Sequence, residues 1–435
     1  MNYIKQVYAE MRQQPLPTWL SVSGTALSIF LVMTMFMLND LPNVEAKPEV
    51  NRKSMLVGEG VHMKDTDSRS EASAMGLSVQ MADRMYRGLE GIEKISYSRH
   101  DCSETEVGLP GAMPETANSR YVDDVYWQFF DFDFIAGRPF TKAEVQAGVN
   151  VAVISEKLAR QFFKSSDVVG KEIYFKNHPY RIAGVIKDVS PIFTLAYADI
   201  YTPINLQPQP WDRWLGEYTG DITVFLLKKK GVSDESIKAQ VKARYDALNK
   251  QLMKDRREAI YHNTPYNMQE LVTPHGSNTT PEPNYKLRWT IYGILLLIPA
   301  INLSGMSRSR LTNRISEIGV RRAFGATRSS VVNQLLIENF IVTLLGGLIG
   351  LILCVIFIIF FSHLFLDISD YVSNFGAANL SDEHPPFRLL FTWPAFAFAI
   401  LFCALLNVLS TGFPVLKATS INPAEAISGS DDIKK

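Results

Sequence analysis

Four stretches of the chain are long and apolar enough to cross a bilayer, which takes about 20 residues. They are Thr18–Leu38, Trp289–Ser307, Asn339–Phe361 and Leu390–Phe413, and none contains Asp, Glu, Lys, Arg or His. The polar stretch between the first two, Asn39–Lys286, has a different pattern. Ser54–Gly58, Lys94–Ser98, Val151–Ile154 and Ile222–Leu227 read as strands, and Leu77–Leu89 reads as a helix. Ser155 caps a helix running to Phe163. Gly170 opens a hairpin whose arms are Glu172–Lys176 and Tyr180–Val185, turning through Asn177-His178-Pro179. Ser233 caps a long helix with Asp234 and Glu235 in its first turn, where the dipole favours them. Ile237, Val241, Tyr245, Leu248 and Leu252 give that helix one apolar face, and Asn267–Val272 reads as a closing strand. The pattern predicts two strand–helix–strand units separated by an inserted subdomain at residues 118–204, with Pro203, Pro208 and Pro210 at its exit.

The expected fold is therefore an α-helical membrane protein with four transmembrane helices and a large α+β external domain inserted between helices 1 and 2. Its segments are an N-terminal piece (1–17), helix 1 (18–38), the external domain (39–286), helix 2 (289–307) and a basic segment (308–330). Helix 3 (331–361), an external loop (362–389), helix 4 (390–413) and a tail (414–435) complete the chain. A cleaved signal peptide is the rival reading of the N-terminus. The 27 uncharged residues between Arg12 and Asp40 exceed the usual signal core of roughly 7–15 and favour an anchor.

Charge orients the spans. Gly305–Ser330 carries six arginines against Glu317 alone, whereas the loop between spans three and four carries Asp367, Asp370, Asp382 and Glu383 against Arg388. The positive-inside rule places the first loop in the cytoplasm and the second outside, with both termini cytoplasmic and the large domain external. Over all 435 residues the formal net charge is zero, which argues against nucleic acid as a partner. Cys354 and Cys403 fall in spans, leaving Cys102 as the one external cysteine and no disulfide within the external domain.

The basic loop has a recognisable shape. Arg314–Arg322 can form a helix in which Glu317 and Arg321 pair at i, i+4 and Ile315 and Ile318 share a face. Gly325 suits a stop and Thr327 a fresh N-cap, so span three starts as a separate helix. Charge alone favours an ordinary topogenic loop, and the helix–stop–helix pattern brings the two readings level. In the spans, Gly346, Gly347 and Gly350, and Gly24 with Ser28, form small-xxx-small faces. These suit either a dimer interface or packing within one subunit.

The run EIGVRRAFGATRSSVVNQLLIENFIVTLLGGLIG, Glu317–Gly350, resembles the signature of FtsX/MacB-type ABC transporter permeases. Phe324 stands where that family usually has Leu. AGRPF, VAVISEKLARQFF and GKEIYFKNHPYRIAGVIKDV within Val122–Val189 look like the family's periplasmic core, and INPAEAI, Ile421–Ile427, resembles its C-terminal ending. The resemblance implies a non-catalytic permease subunit of the bacterial inner membrane that dimerises with a second copy or a paralogue. Cytoplasmic ABC ATPase subunits using ATP and Mg would drive it. The basic loop would be the coupling helix, with Glu317, Ile318, Gly319, Arg321, Arg322 and Gly325 as its contacts. The implied function is mechanotransmission for export, efflux or lipoprotein and envelope transport, with a periplasmic adaptor or lipoprotein as a further partner. The alternative is an FtsX-type signalling subunit that regulates cell-wall hydrolases, but those have smaller external domains than Asn39–Lys286.

Other chemistry finds little support. No G-x-x-x-x-G-K-[ST] occurs, so the expected ATPase is a separate chain. Uncharged spans disfavour proton-driven transport, with Glu338 standing just ahead of the third window. The histidines are scattered without metal-ligand spacing, and neither G-x-S-x-G nor H-E-x-x-H is present.

Overall fold

The computed structural model of the protein describes residues 12, 15–40, 43–66, 71–74, 76–99, 104–190, 193–206, 218–271, 286, 290, 293–294, 320, 324–367, 393–394, 396–405 and 408. The chain divides into two units, one holding the apolar helices and one holding Pro42–Pro283.

In the helical unit, α1 spans Pro15–Asp40, with Thr18–Met37 apolar enough to cross a membrane. The expected second span lies almost entirely outside the described residues. The third expected span belongs to a much longer helix, Arg328–Asp367, whose apolar part is Ser329–Phe360. Of the fourth, Phe396–Leu405 is described as a shorter apolar helix.

The external unit has two lobes. In the first, β1 (Met55–Gly58) and β5 (Ile92–Arg99) flank β14 (Ile222–Lys228), all antiparallel. Helix α2 (Val79–Tyr86) and helix α6 (Asp234–Leu252) pack on this sheet. Met81, Met85, Tyr86, Ile237, Val241, Tyr245 and Leu248 join Leu56, Val224 and Leu226 in one core. Each of the large apolar side chains contributes roughly 1.5–3 kcal/mol by leaving water. Both helices begin at capping serines. Ser78 Oγ accepts from the Met81 N–H and Ser233 Oγ from the Ser236 N–H. The short strands β4 (Gly76–Leu77) and β13 (Thr219–Gly220) extend the sheet, while β2 (Val61–Asp65) forms a separate three-stranded sheet with β3 (Glu71–Ala74) and β15 (Arg257–Ile260).

The second lobe is a closed ring. β6 (Glu104–Gly108), β7 (Glu115–Val122), β9 (Val151–Ser155), β10 (Glu172–Phe175), β11 (His178–Ile186) and β12 (Ile200–Pro203) pair in the order β12–β9–β11–β10–β6–β7, and β7 returns to β12. Closure removes the exposed strand edges that would otherwise invite pairing with other chains. Val107, Tyr121, Ile154, Leu158, Ile173, Phe175, Ile182 and Ile200 form its core. Helix α3 (Tyr126–Phe129), strand β8 (Phe134–Gly137), helix α4 (Lys142–Gln146) and helix α5 (Glu156–Phe163) complete the lobe. The two lobes share the short β5–β7 ladder, Ser98↔Val122 and Arg99↔Tyr121.

Three expectations change. The hairpin turns at Lys176-Asn177, both at positive φ, and not through Asn177-His178-Pro179, since His178 and Pro179 already pair with Phe175 and Tyr174. The ring takes in β6, upstream of the expected subdomain start at residue 118. The expected closing strand at Asn267–Val272 is instead a helical turn, α7 (Met268–Leu271). Asn267 Oδ1 accepts from the N–H groups of Gln269 and Glu270 while Glu270 Oε2 accepts from the Asn267 N–H, a reciprocal cap that favours a helix start. Strand β15 closes the second unit, but onto β2 and not onto the central sheet.

Candidate coupling segment and helix contacts

The stretch leading into the long helix shows a stop followed by a start. The Phe324 N–H donates to Val320 O at 3.1 Å, and Gly325 adopts φ +95°, a left-handed conformation that favours glycine. Two residues on, Thr327 Oγ1 accepts from the Ser330 N–H at 3.3 Å and Thr327 O from the Val331 N–H at 3.2 Å, capping helix α8 (Arg328–Asp367). Val320 and Phe324 are exposed, Phe324 to 87%. Glu317, Ile318, Gly319, Arg321 and Arg322 lie outside the described residues.

The apolar part of α8 is 32 residues long, a rise of about 48 Å at 1.5 Å per residue, against a hydrocarbon core of about 30 Å. One unbroken helix therefore runs from the Thr327 cap through the third expected span. Glu338, buried at 4% exposure, accepts from Gln334 Nε2 at 2.9 Å.

The glycines of α8 face α1. A Cβ added at Gly346 would lie 2.7 Å from Thr25 Cβ and 3.0 Å from Val22 O. One at Gly350 would lie 2.7 Å from Ala26 O and 3.2 Å from Ile29 Cβ. Val22 also packs with Val342. Residue numbers rise together along both helices, so α1 and α8 run parallel. Gly24 is buried, and its carbonyl accepts from Ser28 Oγ at 2.7 Å. Helix α9 (Phe396–Leu405) meets α8 where Ile400 approaches Gly347, and meets α1 where Phe398 stacks edge-on with Phe36 at 4.7 Å.

Titratable groups in the external unit serve structure. Asp123, pushed up to about 6 by burial, accepts from Ser96 Oγ and from the N–H groups of Tyr97 and Tyr126. Burial also raises Glu59 to about 8. The fold brings together two histidines that sequence spacing left apart. His62 Nδ1 and His262 Nε2 are 2.9 Å apart with their rings stacked. Among the described residues no three His, Cys, Asp or Glu side chains are grouped to hold a metal ion.

Residues 18–244 match the family described as the MacB-like periplasmic core domain, and residues 289–423 match the FtsX-like permease C-terminal family. The chain is 26% identical over 341 residues to YknZ, an uncharacterized ABC transporter permease of Bacillus subtilis, covering 78% of this chain and 77% of that one. It is 24% identical over 317 residues to the macrolide export ATP-binding/permease protein MacB of Neisseria gonorrhoeae, where the match covers 72% of this chain and 44% of the relative. The solved periplasmic region of MacB from Actinobacillus actinomycetemcomitans aligns with 48% of this chain and 89% of that chain, at 17% identity and a TM-score of 0.33. With an N-terminal apolar helix, a large α+β periplasmic domain and C-terminal apolar helices, the chain belongs to the MacB/FtsX family of ABC transporter permeases, membrane subunits that work with an ATPase partner.

Proposed function

We propose that this chain is a four-span permease subunit of the bacterial inner membrane that carries the motion of a cytoplasmic ATPase to the periplasmic domain by mechanotransmission. The observation that carries this reading is the capped, unbroken α8. Gly325 breaks the chain direction, Thr327 starts a new helix, and that helix continues into the bilayer packed in parallel on α1. A displacement of the coupling segment is then delivered to a stiff rod and not absorbed in a loop. The parallel α1–α8 pair suits spans one and three both leaving the cytoplasm.

Exposed Val320 and Phe324 are apolar contacts for an ATPase groove, beside Glu317, Ile318, Gly319, Arg321 and Arg322. Gly346 and Gly350 already receive α1 of the same chain, which favours packing within one subunit over a dimer interface for these glycines. Dimerisation with a second copy or a paralogue then uses other faces. ATP and Mg are handled by the partner, outside these 435 residues. MacB relatives named as macrolide exporters favour export or efflux, and lipoprotein or envelope transport is the related cargo class.

Glu317→Lys should leave the protein inserted in the membrane yet release its ATPase. Co-purification in mild detergent and ATP-dependent transport are the readouts. If both are unchanged, the coupling assignment is wrong.

A further inference from the structure

The outgoing membrane connection of the external unit is tied to the ring before it enters β1 of the first lobe. On the outgoing side, Glu49 is buried at 1% exposure. Its Oε1 accepts from the N–H groups of Leu195 and Ala196 at 3.0 and 2.9 Å, and its Oε2 accepts from Arg52 Nε at 2.6 Å. The Arg52 guanidinium lies 5.2 Å over the Phe193 ring. The Asp131 N–H donates to Pro48 O at 2.9 Å, and Lys47 Nζ sits 2.6 Å from Asp133. The turn that receives Glu49, residues 193–197, joins β11 to β12 of the ring. Arg120 holds it from the other side by donating to Thr194 O at 2.8 Å, and the Tyr126 and Tyr201 hydroxyls donate to Leu195 O and Ala196 O.

On the returning side, ties go to the first lobe and to β2. Tyr266 and Val57 exchange backbone hydrogen bonds at 2.8 Å each. The Tyr86 hydroxyl bonds Thr264 Oγ1 at 2.8 Å, Lys238 pairs with Glu270, and His262 meets His62.

The tethers differ in length as well. Residues 41–45 separate the end of α1 from the bridge Ala46↔Glu49, an extended reach of at most about 18 Å. The return from α7 to Lys286, which is again helical, takes 14 residues of sequence. A short chain pulled against a fixed point becomes taut after little travel.

We propose that the Glu49–Arg52 strap is the device by which movement of the first span is delivered to the ring, with the first lobe as the side left behind. This rests on the mechanotransmission reading. Ionised partners suit the task, because charge-assisted hydrogen bonds are short and directional, and slipping them would leave a buried charge unpaired. The lobes meet through the short β5–β7 ladder and the packing of Tyr126, Phe129 and Phe130 on Phe225 of β14, and a relative movement of the lobes would shear that contact.

The test inserts slack without touching the strap. Four Gly/Ser residues are placed after Val44 in one variant and after Asn278 in another. Spin labels at Asp167→Cys in the ring and Lys242→Cys on α6, in a background without the native cysteines, report the distance between lobes. The full chain is measured in nanodiscs with its co-purified ATPase, before and after ATP and vanadate. The parent should show a nucleotide-dependent distance shift. The insertion after Val44 should lose it, and the insertion after Asn278 should keep it. Retention of the full shift with slack at Val44, or equal loss in both variants, overturns the strap while leaving mechanotransmission standing. A parent with no shift at all overturns mechanotransmission and the strap together.

Discussion

Adding one methyl group at each of three glycines of α8 tests the helix contact from which the proposed motion follows. At Gly350 the new Cβ would meet Ala26 O at 2.7 Å, and at Gly346 it would meet Thr25 Cβ at 2.7 Å and Val22 O at 3.0 Å. These are backbone or first side-chain atoms, so α1 itself must retreat. Overpacking of this kind costs about 1–3 kcal/mol. Alanine regains up to about 1 kcal/mol over glycine in a helix. Gly346→Ala and Gly350→Ala should therefore each lose about 1–2 kcal/mol of helix association. At Gly347 the nearest atoms are the flexible ends of Ile29 and Ile400 at 3.3–3.6 Å, which can turn aside. Gly347→Ala should be neutral or gain up to about 1 kcal/mol. The buried Cys354 thiol, 3.6 Å from Met37 Sδ, supplies the assay. Its reactivity with a thiol-specific fluorophore during heating in detergent reports separation of α1 from α8. Midpoints should drop by a few °C for the first two variants and hold or rise for the third, at about 2–4 °C per kcal/mol. Equal effects at Gly347 and Gly350 would refute the proposed helix register.

Two further outcomes concern the external unit. Arg120→Met keeps the stem but removes the donors to Thr194 O and Tyr197 O, leaving acceptors without their buried partner. A loss of about 1–3 kcal/mol in thermal or urea unfolding is expected, and a stability equal to the parent's would count against the clamp. Glu144 is held down to about 2, chiefly by the Arg138 guanidinium, which donates to both its oxygens, with Thr141 adding two more donors. A depressed carboxylate contributes stability above its ordinary value of 4.5 and loses it as pH falls toward 2. Arg138→Gln should flatten that dependence in fluorescence-monitored acid unfolding, and an unchanged profile between pH 4.5 and 2 would exclude the pair as its source.

What could be read from the chain depended on how local the signal was. Ser155 and Ser233 announce their helices because a capping hydroxyl acts on an N–H three residues away, and the hairpin β10–β11 turns within its own sequence. Ring closure had no such signal. The parallel pairing of β7 with β12 joins strands about 80 residues apart, and alternation says nothing about which edges meet. Asn267 and Glu270 carried a legible capping pattern, but the apolar alternation around them reads equally well as a strand. Glu49 and Arg52 look like any solvated charges in a linker, and only the placement of residues 193–197 over them creates a buried pair. The stop at Gly325 and the cap at Thr327 were legible because each acts within a few residues.

In the proposed mechanism these parts act in sequence. The stop at Gly325 and the cap at Thr327 would hand a displacement of the coupling segment to α8, which cannot absorb it as a loop would. Gly346 and Gly350 let α8 approach the backbone of α1 so closely that the two helices resist sliding past each other. Five residues, 41–45, lie between Asp40 and the ties at Ala46 and Glu49. The small residues in the membrane and the buried carboxylate outside it thus do matching work. The glycines remove side chains so that helices can engage, and Glu49 supplies charge so that an otherwise ordinary linker becomes a fixed point on the ring.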